Sequence, residues 1–333
     1  MEFDSNKFHL QIPIVFIHYG DSSYLRYSLQ SAKLTNPQKE IYLLGDSENE
    51  HLKHIGIQHV NFSTFDNYPL VKKFDQVFKL IAGTEHQYHK SRGTDYWTNF
   101  VFKRWFYIYE FIKLKGISRF WTFDSDNMIL QDLSFGEVFF QDYDTTEQCG
   151  GICMNGLINN LEVVEGYVEK MIELFQDEEY LAQQRKIMVQ NPKWAYTEMR
   201  AYEKYKQDTG IKSVKLNSES QDLIFDDCIS FVEDGMEMGG FVHRGRVLKK
   251  LYRDNNWSLY VRQLKGDRYL KLANLNLSWV DDYIFEKVLK TVLKRPSGAK
   301  HRRFIREFSL KRTFTDKVRS RLFSFLYPQP SIF

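Results

Sequence analysis

A chain of 333 residues, 43% hydrophobic and 16% aromatic, holds enough apolar mass for one large core with or without a small appendage, which excludes a disordered chain. The formal charge of +3 hides an asymmetry: residues 287–333 carry thirteen Lys or Arg and two acids, so residues 1–286 carry a net −8. Cys149, Cys153 and Cys228 form no CxxC pair and no even-numbered framework, which points to a reduced, cytoplasmic setting. The opening MEFDSNKFHLQIPIVF lacks a basic region followed by a long apolar run, so no signal peptide is expected, and no stretch reaches the length of an apolar membrane span.

In chain order, the first expected strand is Ile12 to Tyr19, an apolar run of the kind buried in parallel sheets and ended by Gly20-Asp21. A helix from about Ser23 to Thr35 follows, with Leu25, Leu29 and Ala32 on its apolar face and Asn36-Pro37 as its stop. Ile41 to Asp46 is the second strand, which completes a βαβ unit. Val101, Trp105, Ile108 and Ile112 recur at helical spacing, widened by Phe102, Phe106 and Tyr109, and predict a largely buried helix over 99–115 closed by Gly116. It feeds a strand, Arg119 to Phe123, that ends at Asp124. Gly150 to Asn155 is a further strand, and a helical region over 161–186 comes next. An amphipathic stretch through Lys206 follows, and a late strand near Gly239 to His243 closes the sheet. The expectation is one α/β domain over 1–285 with a mostly parallel, Rossmann-like central sheet flanked by helices, then a basic helical tail over 286–333.

The sharpest chemical signal is Asp124-Ser125-Asp126 at the carboxyl end of an apolar strand, where open α/β sheets bind ligands. Two carboxylates one residue apart repel unless a cation lies between them, and a hard divalent ion bridging to diphosphate oxygens resolves the repulsion. Arg104 borders the apolar face of its helix, so its charge needs a partner, either a carboxylate of this pair or a diphosphate. The ordinary alternative for Arg104 is a packed stem with its head in solvent.

These stretches resemble the GT-A class of nucleotide-sugar-dependent glycosyltransferases, of the kind that builds bacterial surface polysaccharides. The run KRWFYIYEFIKLKGISRFWTFDSDNMIL is similar to that class's helix and strand leading into its DxD motif. His18 and Tyr19, at the end of the first strand, and Asp46, at the end of the second, match where the class holds the nucleotide. The resemblance implies that Asp124 contacts the donor ribose and the metal, that Asp126 is a direct metal ligand, and that His243 supplies a third. A set of two carboxylates and an imidazole suits Mn²⁺ better than Mg²⁺. Lys249, in the basic stretch after His243, would contact the diphosphate. By the same resemblance the donor is a UDP-sugar and the acceptor a saccharide or lipid-linked saccharide.

On the acceptor side, Gly150-Gly151 allows close backbone approach, Asn155 can bond a hydroxyl, and Trp194 and Tyr196 offer rings beside Glu198. Glu198 is the first candidate for a general base, with Asp222 as its rival and Asp226 and Asp227 behind it. A surface carboxylate is the plain alternative for each. In the tail, Val318, Leu322 and Phe325 form an apolar stripe among Lys317, Arg319 and Arg321, the pattern of a helix lying on an anionic membrane surface or docking on the domain. No nucleic-acid-binding motif is present. Two other classes compete. A haloacid-dehalogenase-like phosphohydrolase also carries DxD but wants Thr or Val where this chain has Met128. A non-catalytic sugar- or nucleotide-binding module would keep Asp124 and Arg104 without needing a base.

Overall fold

A computed structural model describes residues 12–86, 93–218, 222–232, 234–296 and 304–311. The chain divides into two compact units. One takes the described residues up to Ser22, with Asn36–Ser125 and Asp132–Ser220, and the other takes Ser23–Thr35, Asp126–Gln131 and the described residues after Gln221.

The first unit is an α/β layer structure around a seven-stranded sheet. Its order is Gln58–Asn61, Ile41–Gly45, Ile14–Ile17, Phe120–Asp124, Cys153–Ile158, Thr145–Gln148, Ser213–Lys215. All neighbours pair in parallel except those of Cys153–Ile158, which runs against both of its partners. The strands Ile14–Ile17 and Ile41–Gly45 are buried along their whole length, as their uninterrupted apolar sequences require. The first two expected strands therefore form, shortened by four residues and one, while those expected over 119–123 and 150–155 form one and three residues later. The expected helix over 99–115 begins earlier and spans Gly93–Lys115.

That helix packs on Leu161–Gln176, and together with Pro69–Val77 they bury an aromatic cluster. Phe74 stacks on Phe106 with centroids 4.6 Å apart, and Phe102 meets Tyr196 at 5.2 Å. The high Phe and Tyr content is thus largely core. The helical region expected over 161–186 is two helices, Leu161–Gln176 and Glu178–Gln190, because Asp177 leaves helical geometry and caps the second by accepting from Tyr180 N at 3.0 Å. Gly156 sits at φ +96°, and a Cβ there would lie 2.2 Å from Thr146 Oγ1, so only glycine fits.

The second unit is built on antiparallel pairing. Its sheet runs Arg306–Phe308, Leu251–Arg253, Leu259–Gln263, Arg268–Asn276, Asn127–Ile129, and Leu223–Phe225 adds to Arg268–Asn276 in parallel. The helices Leu25–Thr35 and Asp282–Leu293 pack together, with Tyr24 stacked on Phe285 at 4.8 Å. Three expectations change here. The helix between the first two parallel strands gives its apolar face to the core of the second unit. The boundary expected between 285 and 286 falls inside the helix Asp282–Leu293, whose Ile284, Phe285, Val288 and Leu289 are core residues. The strand Met238–His243 does not close the main sheet but folds back on Arg246–Lys249 as a two-stranded ribbon. Arg244 and Gly245, both at positive φ, make the two-residue turn that such a hairpin needs. The amphipathic stretch expected over 315–326 lies outside the described residues.

Candidate functional site

In the first unit the strand Ile14–Ile17 lies between Ile41–Gly45 and Phe120–Asp124, all three parallel. The chain leaves Ile14–Ile17 toward one neighbour first and reaches the other only later, so their carboxyl ends bracket a topological switch point, the crevice where α/β sheets hold ligands. Ile17 and Asp124 are in register across it. His18 follows the first strand, and its ring joins Ser125 Oγ, 2.8 Å from Nδ1, to Ser22 Oγ, 3.0 Å from Nε2. Asp46 ends the neighbouring strand and accepts from Gly20 N at 2.6 Å and from Glu48 N at 2.9 Å. Asn49 donates to the carbonyls of His18 and Gly20 and accepts from His59. A Cβ on Gly45 would sit 2.0 Å from Asn49 Oδ1, which is why this strand ends in glycine. Tyr19 packs edge-on against Phe100 at 4.6 Å and Tyr96 at 5.1 Å.

At the same end of the sheet Arg104 joins two carboxylates. Its Nη1 donates to Asp124 Oδ1 and its Nη2 donates to Glu198 Oε1 at 2.8 Å. The helix Gly93–Lys115 delivers Arg104, the strand Phe120–Asp124 delivers Asp124, and Glu198 opens the helix Glu198–Thr209. Tyr167 pins the start of that helix by donating to Glu198 O at 2.7 Å. Arg104 is only 13% exposed and Glu198 only 7% at its side chain. Two atoms of this trio remain unpartnered, Arg104 Nε and Glu198 Oε2. Burial, reinforced by the nearby Asp124 carboxylate and opposed by Arg104, pushes the Glu198 carboxyl up to about 7. Burial works against the charge on Arg104, but Asp124 and Glu198 more than offset it and hold the guanidinium protonated.

A second buried carboxylate of this unit was not foreseen. Glu147 accepts from Tyr202 Oη and pairs with Lys206 Nζ, each at 2.9 Å, beside the Gly150-Gly151 turn whose carbonyl of Gly151 also binds Lys206. Asn155 turns inward to donate to Gln148 at 3.0 Å. Tyr196 is core, 1% exposed, so of the two rings expected near an acceptor only Trp194 is at the surface, 53% exposed, with Arg200 over its face.

No protein-family model matches the sequence, and no curated protein matches it. Among solved structures the chain is similar to mouse xyloside xylosyltransferase 1, 8% identical with a TM-score of 0.40 over 62% of this chain and 85% of that one. It is similar to the PaToxG glycosyltransferase, 11% identical with a TM-score of 0.35 over 60% and 69% of the two chains. The glycosyltransferase GlyE of Streptococcus pneumoniae TIGR4 is 18% identical with a TM-score of 0.32, covering 62% of this chain and 46% of that one. Likenesses this distant extend to parts of an outline, and the chemistry rests on the residues themselves.

The remaining expected site residues lie in the second unit. Asp126 accepts from Ser278 Oγ at 2.9 Å, and its backbone carbonyl accepts from Leu277 N. His243 sits at the other end of the same loop, where its Nε2 accepts from Asp281 N at 3.2 Å. The same Nε2 lies 3.5 Å from the Asp281 carboxylate. Among the described residues no group of three or more His, Cys, Asp or Glu is gathered for a metal ion. A hard divalent cation takes only one or two carboxylates from protein and completes its shell with phosphate oxygens and water.

Lys249 does not contact a diphosphate as expected. Its side chain is 1% exposed, and its ammonium lies between Asp226, at 2.5 Å, and Asp234. Asp226 also accepts from Asn276 N at 3.1 Å, which removes it both as a base and as half of a phosphohydrolase pair. Asp222 is 76% exposed, its nearest cation 3.9 Å away, and it is a surface carboxylate at a positive-φ turn. A cavity of about 280 Å³ in this unit lies between the ribbon and the strand Arg306–Phe308, and of the expected site residues only Lys249 lines it.

Substituting Lys249 with Met should leave two buried carboxylates facing each other and lower stability by about 3–5 kcal/mol in urea unfolding. Lys250→Ala, whose ion pairs are 3.4 Å long and part exposed, should leave the unfolding midpoint close to that of the wild type. Equal losses would show that Lys249 is no structural keystone.

Proposed function

We propose that the protein is a metal-dependent glycosyltransferase that takes a sugar from a nucleotide diphosphate, a UDP-sugar, and transfers it to a saccharide or lipid-linked saccharide. The observation that carries the proposal is Arg104 held between Asp124 and Glu198 beside the switch point of the sheet. A guanidinium there can pass from a carboxylate to a diphosphate without leaving its helix. His18, Tyr19 and Asp46 border the nucleotide, on loops already fixed by the His18–Ser125 and Asp46–Gly20 hydrogen bonds. Mn²⁺ or Mg²⁺ would be held through the carboxylates of the Asp124-Ser125-Asp126 motif and would supply charge neutralisation at the leaving diphosphate.

Glu198 is the base. Its Oε2 is buried with no hydrogen bond, and its affinity for a proton, near pH 7, suits taking one from an acceptor hydroxyl. The acceptor oxygen attacks the anomeric carbon as its proton passes to Glu198. The bond from that carbon to the diphosphate breaks, and the electron pair leaves with the nucleotide. Because Oε2 is sealed from solvent, only a group that enters the packing reaches it, which protects the donor from water. The net +11 of residues 287–333 suits attachment to an anionic inner membrane face, where a lipid-linked acceptor would be presented. No helix among the described residues is long and apolar enough to cross a membrane.

Three measurements test the proposal. UDP or a UDP-sugar at about 100 times its dissociation constant should add roughly 2.7 kcal/mol of stability with Mn²⁺ present, and Asp126→Ala should abolish the thermal shift. No shift with any nucleotide would overturn the donor assignment. Glu198→Gln should lower kcat about 10²–10⁴-fold while donor binding stays. In the wild type kcat/KM should rise with pH through about 7 and level above it, because only the ionised carboxylate accepts a proton. A rising limb that survives in Glu198→Gln would assign the base elsewhere. Deleting residues 312–333 should reduce flotation of the protein on vesicles containing phosphatidylglycerol, and unchanged flotation would remove the membrane from the proposal.

A further inference from the structure

We propose that the second unit binds a phosphate-bearing anion at a cluster of four cations, Arg253, Lys294, Arg295 and Arg306. Arg253 ends the strand Leu251–Arg253 and Arg306 begins Arg306–Phe308, and the two are direct partners across this antiparallel pair. Like charges in that position repel and destabilise the pairing. Lys294 and Arg295 follow the helix Asp282–Leu293. The Trp257 ring ties the two ends of the cluster together, with Arg253 Cζ 3.8 Å and Lys294 Nζ 4.5 Å from its centroid. Trp257 takes this position from a backbone at φ +62°.

The cations lack anions. None of the four makes an ion pair among the described residues. Arg253 Nη1, Arg295 Nε and Arg295 Nη2 are buried without any hydrogen-bond partner, while Arg295 Nη1 donates to Leu130 O at 2.5 Å. Leaving three guanidinium N–H groups unmet is costly, and it is unusual in a folded core. Asp254 is the nearby carboxylate, but its oxygens serve its own turn. Oδ1 accepts from Asn256 N and Ser258 N, and Oδ2 accepts from Tyr260 Oη, each at 2.9 Å. Burial, and after it the neighbouring Arg306, pulls the Arg253 guanidinium below its ordinary pKa against the pull of Asp254; burial does the same to Arg295.

Four positive charges and unmet donors on two planar forks match a tetrahedral oxyanion of two or more charges. A phosphate monoester or a diphosphate meets that requirement. A single carboxylate would leave most of the donors unsatisfied. Lys294 and Arg306 are exposed, so the ligand has a route in from solvent. The phosphate can arrive on a soluble molecule or on a lipid headgroup.

The test uses the full chain in EDTA, so that a metal-dependent diphosphate site does not contribute. Inorganic phosphate and pyrophosphate are titrated calorimetrically, and the protein is floated with phosphatidylcholine vesicles with and without phosphatidic acid. Saturable binding is expected, weakened about tenfold by Arg306→Gln and by Arg253→Gln, the loss of one charge-assisted hydrogen bond each. Arg306 is exposed, so its substitution keeps the fold even where Arg253→Gln does not. Vesicle binding that depends on phosphatidic acid and on Arg306 assigns the lipid source, and binding of the free anions alone assigns a soluble one. No saturable binding of any probe, binding indifferent to both substitutions, or binding lost in Asp126→Ala but kept in Arg306→Gln would overturn the proposal.

Discussion

Arg104 is the residue on which the functional end of the first unit depends. It is a buried cation touching carboxylates from a strand and from a helix that lies about ninety residues further along the chain. Removing it would leave the half-buried Asp124 and the buried Glu198 repelling each other, and removing either acid would orphan one arm of the guanidinium. Such arrangements are poor devices for stability, since hydrophobic packing of the same volume does as well or better. The site keeps the charges at a cost, and two atoms of the trio, Arg104 Nε and Glu198 Oε2, are not even satisfied. A charge network left incomplete in the middle of an otherwise packed aromatic core is best explained by what it does for a ligand.

The sheet explains why the trio lies where it does. Parallel strands Ile14–Ile17 and Phe120–Asp124 end together, and each hands over to polar residues immediately, His18 on one side and Asp124-Ser125 on the other. Their side chains then bond each other across the crevice, His18 to Ser125, while Asp46 and Asn49 tie down the loop that starts at Tyr19 and Gly20. Loop backbone that would otherwise have to order on binding is already ordered, which lowers the entropy cost of taking a ligand.

What could be seen from sequence follows from how local each signal is. The buried parallel strands and the long helix were legible because continuous apolar runs and a wide 3.6-residue stripe have few other uses. Arg104, Asp124 and Glu198 were each legible for a local reason, an Arg bordering an apolar face, an acid ending a strand, an acid between aromatic residues. Their meeting was not, because nothing local to residue 198 specifies residue 104. The antiparallel sheet of the second unit was missed because its strands are interrupted by charges, as in Leu251–Arg253 and Arg268–Asn276, and give a weaker pattern than a buried run. Lys249 was misjudged for a related reason. Sequence showed a basic stretch after a strand, but not that a tight Arg244-Gly245 turn would fold the ribbon back and bury the lysine against Asp226 and Asp234. Ser125 lay in plain view inside the acidic motif, and only its hydrogen bond to His18 gives it a part.

Three sets of buried or half-buried cations in this chain differ in how completely they are answered, and the difference sorts structure from function. Lys249 meets two carboxylates and is 1% exposed; it holds a core together. Arg104 also meets two carboxylates, yet retains an unmet N–H beside a carboxylate oxygen without a partner, the state of a site that can exchange its partners when a ligand arrives. Arg253 and Arg295 make no ion pair among the described residues, each keeps unmet donors, and Arg253 also faces Arg306 across its strand pair. A chain under pressure only for stability would have paired or replaced them, because an unanswered buried charge costs several kcal/mol. The progression from answered to unanswered charge therefore runs from scaffold to exchangeable site to a site that is complete only with an anion in it.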